Sequence, residues 1–215
     1  MATLIGLYGE PATGKSISLK NLNEESVFYV DADGKGLNYK GWRERYSKEK
    51  NNYLRTSEPE KAIKCLEVVG RNEKYAHIKY FIVDTVNNLM TSEEMRRSQE
   101  RGYDKWTDLA SSIWRLVELP SELRDDLIVI LVFHSQVEKT EDGYEHIKIK
   151  TNGRKTEKNN IDSRFNILLR SVKMDGQYML ETTAHNSTSR TPLGAFEEEY
   201  IPNDIMIVLD VLKDY

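Results

Sequence analysis

The chain has 215 residues, a formal charge of −4, 31% charged side chains and a single cysteine. That length suits one α/β domain with a sizeable core, and the acidic balance excludes a protein that coats nucleic acid through bulk charge, so any such contact must come from a local patch. Cys65 alone excludes an intrachain disulfide; with no signal-peptide pattern at the start, the expected setting is a reducing cytoplasm.

Thr3–Tyr8 is an apolar run closed by glycine and predicts a buried strand. Gly14–Leu22 predicts a short helix, Val27–Asp31 a second buried strand and Asn52–Arg55 a brief one, whereas Leu37–Tyr46 fits neither period. Ala62, Ile63, Leu66 and Val69 share one face of a helix over Pro59–Val69. Tyr80–Asp84 is a third strong strand. Helices follow over Val86–Glu100 and Tyr103–Leu119, the second with Trp106, Leu109, Ile113, Trp114 and Val117 on one face. Leu127–His134 is the fourth strong strand, and far too short an apolar run to span a bilayer.

Beyond His134 the pattern changes. Turn signals at Glu141–Tyr144 and Met174–Gln177 predict antiparallel strands over Glu145–Thr151, Phe165–Lys173 and Tyr178–Thr182, and Ile205–Leu212 fits a helix or an edge strand. The whole reads as an α/β fold whose mostly parallel sheet is flanked by helices and extended by antiparallel C-terminal strands. One domain over 1–215 is expected, with a parallel-sheet core in 1–136 and a hairpin-rich part in 137–215.

Gly9, Glu10, Pro11, Ala12, Thr13, Gly14, Lys15 and Ser16 match the pattern G-x-x-x-x-G-K-[ST], and Ile17 continues it. Glycines let the backbone curl so that its N–H groups face phosphates, and a helix N-terminus adds partial positive charge. Lys15 is expected to reach the β- and γ-phosphates of ATP and Ser16 to bind Mg²⁺. Asp84, at the end of an apolar strand, is the expected second metal-side residue. Asp33 is the candidate base for the attacking water and Asp31 the runner-up. The four histidines lack metal-ligand spacing; His134, or Gln136 near it, is a candidate nucleotide sensor at a strand end.

The order of these motifs resembles the RecA-like recombinase family: phosphate loop, an acidic turn at Val30–Asp33, a strand with Asp84, and a strand ending in Phe133-His134-Ser135-Gln136. It is similar in particular to phage-encoded RecA-like ATPases of single-strand annealing, in Asp104–Thr107, Lys150–Gly153, Ser189–Phe196 and Tyr200–Asp204. The chain departs in offering Asp33 where the family has glutamate, in starting almost on its first core strand, and in placing His134 where recombinases carry an amide. The resemblance implies a P-loop NTPase core with the nucleotide bound in 1–136, ATP and Mg²⁺ as cofactors, single-stranded DNA as partner, a single-strand-binding protein and further copies of the chain as companions, and no membrane. Lys148, Lys150, Arg154, Lys155 and Lys158 form the expected DNA-contacting segment, with Tyr144 as a stacking residue. Arg190 is the expected arginine finger toward a neighbouring subunit. Arg96, Arg97 and Arg101 alternate with Glu93, Glu94 and Glu100 and fit a salt-bridged helix face. Two other readings of the same loop stay open: a nucleotide or small-molecule kinase, with Lys148–Lys158 as its lid, and a nucleotide-switched assembly factor.

Overall fold

The computed structural model describes every residue except 103, 140–142 and 153–159, and every described side chain except those of 104 and 214. Nine strands form one sheet: β1 (Thr3–Gly9), β2 (Val27–Asp31), β3 (Tyr53–Arg55), β4 (Tyr80–Asp84), β5 (Ile128–Lys139), β6 (Glu145–Ile149), β7 (Ile167–Met174), β8 (Gln177–Glu181) and β9 (Tyr200–Pro202). The order is β3-β2-β4-β5-β1-β7-β8-β9, with β6 paired to β5 off this path. Pairing is parallel from β3 through β7 and antiparallel for β5–β6, β7–β8 and β8–β9. Strands from both parts of the chain thus share one sheet, as the α/β reading expects.

Side-chain alternation divides this sheet into two faces. Val30, Val83, Leu131 and Phe133 pack on one face beneath the helices α3 (Pro59–Arg71), α4 (Val86–Arg96) and α5 (Asp104–Glu118). Ile5, Leu7, Tyr29, Ile82, Ile130 and Val132 face the other way, toward Leu19 and Leu22, Leu37 and Tyr46, and the C-terminal helix α6 (Ile205–Val211). Both faces are covered, which is why the central strands read as continuous apolar runs. Continuing the alternation, Asp31, Asp84 and His134 fall on the second face, Asp31 and Asp84 at the carboxyl ends of their strands and His134 midway along β5. The register puts Asp31 beside Asp84, Asp84 beside Val132, and His134 beside Gly9.

Three expectations need correction, and one open segment is resolved. The helix after the phosphate loop, α1, spans only Lys15–Ser18, not Gly14–Leu22. Ser18 bonds back to the Lys15 carbonyl at 2.6 Å, and the Arg45 guanidinium takes the carbonyls of Lys20 and Leu22. Those side-chain bonds replace the helical ladder. The segment Phe165–Lys173 contributes β7, which is antiparallel to β8 but parallel to β1. The strand through His134 does not stop there but runs on to Lys139 as one arm of a hairpin with β6. Leu37–Tyr46 contains a four-residue helix, α2 (Trp42–Arg45). The first hairpin turn falls partly in 140–142, outside the described residues.

Candidate functional site

The phosphate loop leaves β1 at Gly9 and is clamped by the C-terminal strands. Ser171 on β7 donates to the Thr13 carbonyl at 2.7 Å, and the Asn203 amide donates to the Gly14 carbonyl at 3.0 Å. A Cβ on Gly9 would sit 2.4 Å from the Ser171 carbonyl oxygen, so only glycine lets the loop start against β7. Gly14 has φ +98, a conformation that penalises any side chain. Ala12 at φ +62 takes a similar conformation with its methyl group in place. Because α1 has a single turn, positive potential in this loop comes from its own N–H groups and Lys15 more than from a helix dipole. Ile17 lies half-buried in that turn. The Lys15 ammonium is buried and donates to the carbonyls of Gly9 at 2.9 Å and Glu10 at 2.6 Å. Burial pulls its pKa down to about 8, against the opposing charge of Asp84.

Asp84 meets the loop through Ser16. Its Oδ2 accepts from the Ser16 hydroxyl at 2.5 Å and from the Tyr29 hydroxyl at 2.6 Å. Burial pushes the Asp84 carboxyl above the ordinary range, with these two hydrogen bonds opposing it. The peptide from Asp84 to Thr85 is cis.

The two candidate bases separate cleanly. Asp31 is 3% exposed and fully engaged: Oδ1 accepts from the Gly34 N–H at 2.7 Å, and Oδ2 from the Gly36 N–H at 2.9 Å and the Tyr53 hydroxyl at 2.6 Å. It is a turn-forming group. Asp33 accepts from the Thr85 hydroxyl at 2.8 Å and pairs with Lys35 at 2.5 Å. Burial raises its pKa, but the bonds from Lys35 and Thr85 outweigh that and hold Asp33 below the usual carboxylate range.

Asp33, Lys35, His134, Asn87 and Lys150 line one open cleft of about 370 Å³. The His134 ring is half-buried, and its Nδ1 is buried with no hydrogen-bond partner among the described residues. Burial and the nearby charge of Lys15 lower its pKa, so the imidazole is neutral at physiological pH. Asn87 ties this corner together, accepting from the His134 backbone N–H and donating to the Lys150 carbonyl, each at 2.7 Å. Gln136 is paired within the β5–β6 hairpin, opposite Lys148.

The basic segment is less uniform than its sequence. Lys148 is not on a loop; it lies in β6, largely covered, and pairs with Glu138 at 2.7 Å. Lys150 is exposed at the cleft. Arg154, Lys155 and Lys158 lie outside the described residues. Arg190 is not among the residues that meet at the phosphate loop. Its backbone exchanges two 2.8 Å hydrogen bonds with Leu168 near the start of β7, and its Nε donates to the Thr188 carbonyl. Arg96 and Arg97 pair with Glu93 and Glu100, as their spacing predicts.

Sequence reasoning missed Tyr29, Lys35, Thr85, Asn87 and Asn203. Only Tyr29 left a signal: it precedes Asp31 by two in a strand, so it shares the face on which the acids lie.

The donor set fits a magnesium nucleotide. A buried ammonium, a hydroxyl and a carboxylate converge on a loop whose glycines leave no room for side chains. Among the described residues no three His, Cys, Asp or Glu side chains cluster to cage a metal. A hard cation here would therefore complete its shell with phosphate oxygens and water, as Mg²⁺ does. A parallel sheet with this loop at the carboxyl end of β1 and an aspartate facing it defines a P-loop nucleotide-binding protein. A model of the AAA domain matches residues 2–190, and the chain belongs to that family of P-loop ATPases. No curated protein matches it. Among the described residues, no helix is long and apolar enough to cross a membrane.

Proposed function

We propose that the protein is a RecA-like ATPase that hydrolyses ATP with Mg²⁺ and acts on single-stranded DNA in phage-type recombination or strand annealing. The observation that carries the ATPase reading is the contact of Ser16 with Asp84 beside the buried Lys15 ammonium, one strand from the neutral His134. In this reading Lys15 and the loop N–H groups from Gly9 to Ile17 bind the phosphates, and Ser16 and Asp84 would hold Mg²⁺, whose charge would offset that of the phosphate oxygens. Asp33 accepts the proton of the attacking water as its oxygen bonds the terminal phosphorus and the bond to the bridging oxygen breaks, leaving ADP and phosphate. His134 donates a hydrogen bond toward the terminal phosphate.

The DNA reading rests on Lys150, which opens from the same cleft and begins the basic segment with Arg154, Lys155 and Lys158. Asn87 links its backbone to that of His134, which offers a physical route between nucleotide and DNA. Lys148, paired to Glu138, contributes less to this surface than Lys150. The deciding experiment is ATP turnover with and without single-stranded DNA, with particle size followed in both conditions. Turnover that rises with DNA and falls with salt supports the reading. Turnover indifferent to DNA, with phosphate transferred to a nucleoside or small alcohol, refutes it in favour of a kinase.

A further inference from the structure

The acid proposed to activate water is occupied. Oδ1 of Asp33 accepts from the hydroxyl of Thr85, a residue only 3% exposed. The other oxygen, Oδ2, is held by the Lys35 ammonium at 2.5 Å. The lysine side chain is 64% exposed while the aspartate's is 13% exposed, so Lys35 is the partner able to leave.

The backbone of Lys35 is fixed while its tip is not. Asp31 grips the N–H groups on both sides of it, at Gly34 and Gly36. Both glycines have positive φ, and the Trp42 ring fills the space where a Cβ on Gly36 would go. A turn this well determined aims the side chain along one edge of the cleft that also holds His134. The charge of Lys35 is felt at Lys15 and at His134, lowering the pKa of both, so its ammonium stands within electrostatic range of the phosphate-loop lysine.

We propose that Lys35 is a cationic latch supplied by the chain's own β2 turn: it neutralises Asp33 in the nucleotide-free protein and transfers to the terminal phosphate of a bound nucleoside triphosphate, releasing Asp33 Oδ2. The inference rests on the nucleotide site proposed above and adds to it a group that tells triphosphate from diphosphate. A terminal phosphate offers Lys35 more negative charge than one carboxylate, which favours the exchange. A diphosphate offers no such partner, and the latch stays on Asp33. The same movement places positive charge where negative charge develops during phosphoryl transfer and frees the acid at the same moment.

The test is equilibrium titration of the full-length protein with ADP·Mg²⁺ and with a non-hydrolysable ATP analogue·Mg²⁺. Wild type is compared with Lys35→Gln, Lys35→Arg and, as a control for the site itself, Lys15→Ala. Lys35→Gln should lose about ten-fold in affinity for the analogue while ADP stays within about two-fold of wild type, and Lys35→Arg should recover most of the loss. An equal loss for both nucleotides, or an unchanged analogue affinity, overturns the latch. A Lys15→Ala variant that binds like wild type, or a wild type that binds neither nucleotide, instead removes the site on which the latch depends. Because the Lys35 side chain is mostly exposed, unfolding midpoints of its two variants should match wild type, and a lowered midpoint for both would assign Lys35 a structural role instead.

Discussion

Asp31 and Asp33 lie two residues apart on one turn, yet the structure gives them different partners, and two substitutions test whether their tasks differ as well. Asp31→Ala removes three hydrogen bonds at a site 3% exposed to solvent, two from backbone N–H groups and one from Tyr53. At about 1.5 kcal/mol each, the lower end for bonds to a charged acceptor, the loss is roughly 4.5 kcal/mol. Asp33→Asn keeps an oxygen for Thr85 and gives up only the pairing with the exposed Lys35, a change of about 0–1 kcal/mol. Urea unfolding followed by circular dichroism reads the difference directly. With a slope of about 2 kcal/mol per molar, the Asp31 variant should unfold about 2 M earlier than wild type and the Asp33 variant almost with it. Turnover should show the reverse emphasis. Asp33→Asn should lose most hydrolysis while binding nucleotide, and any Asp31 variant that remains folded at low temperature should retain part of its activity. An Asp31→Ala protein as stable as wild type but unable to turn over would refute the division of labour and make Asp31 the working acid.

Three further outcomes are expected. Tyr29→Phe removes the second hydrogen bond to Asp84 Oδ2; because such supporting contacts tune metal affinity by about 10–100-fold, the Mg²⁺ concentration needed for half-maximal nucleotide binding should rise by at least the lower factor, and an unchanged Mg²⁺ titration would detach Tyr29 from the site. Gly9→Ala drives a methyl group to 2.4 Å from the Ser171 carbonyl oxygen, on a backbone that cannot rotate away; it should destabilise by about 1–3 kcal/mol and abolish nucleotide binding, and a crystal structure with an undisturbed loop would contradict that packing. Burial pushes the thiol of Cys65, the single cysteine, up to about 12; the partly buried thiol should therefore react with a disulfide reagent far more slowly in the native protein than after unfolding, and native labelling as fast as that of the unfolded chain would contradict its packing.

The sequence by itself determined the strands that carry the site and the chemistry of the loop. A continuous apolar run is legible because a strand buried on both faces needs every residue apolar, and Val27–Asp31, Tyr80–Asp84 and the first part of β5 are of that kind. The glycines and lysine of the phosphate loop are legible because backbone curvature and phosphate charge admit few alternatives. Period-two alternation also contains the fact that Asp31, Asp84 and His134 share a face, although it takes the strand register to bring them together. What lay outside the sequence was decided by contacts between distant segments. The extent of α1 depends on Arg45 capturing carbonyls from the turn that replaces the helix. The direction of β7 depends on its pairing with β1, from which it is separated by most of the chain. The choice between Asp31 and Asp33 depends on which of two chemically identical carboxylates meets the N–H groups of a tight turn and which meets Thr85 and Lys35. Local pattern encodes what a residue can do; only the packing of remote segments fixes which of its polar atoms remain available to do it.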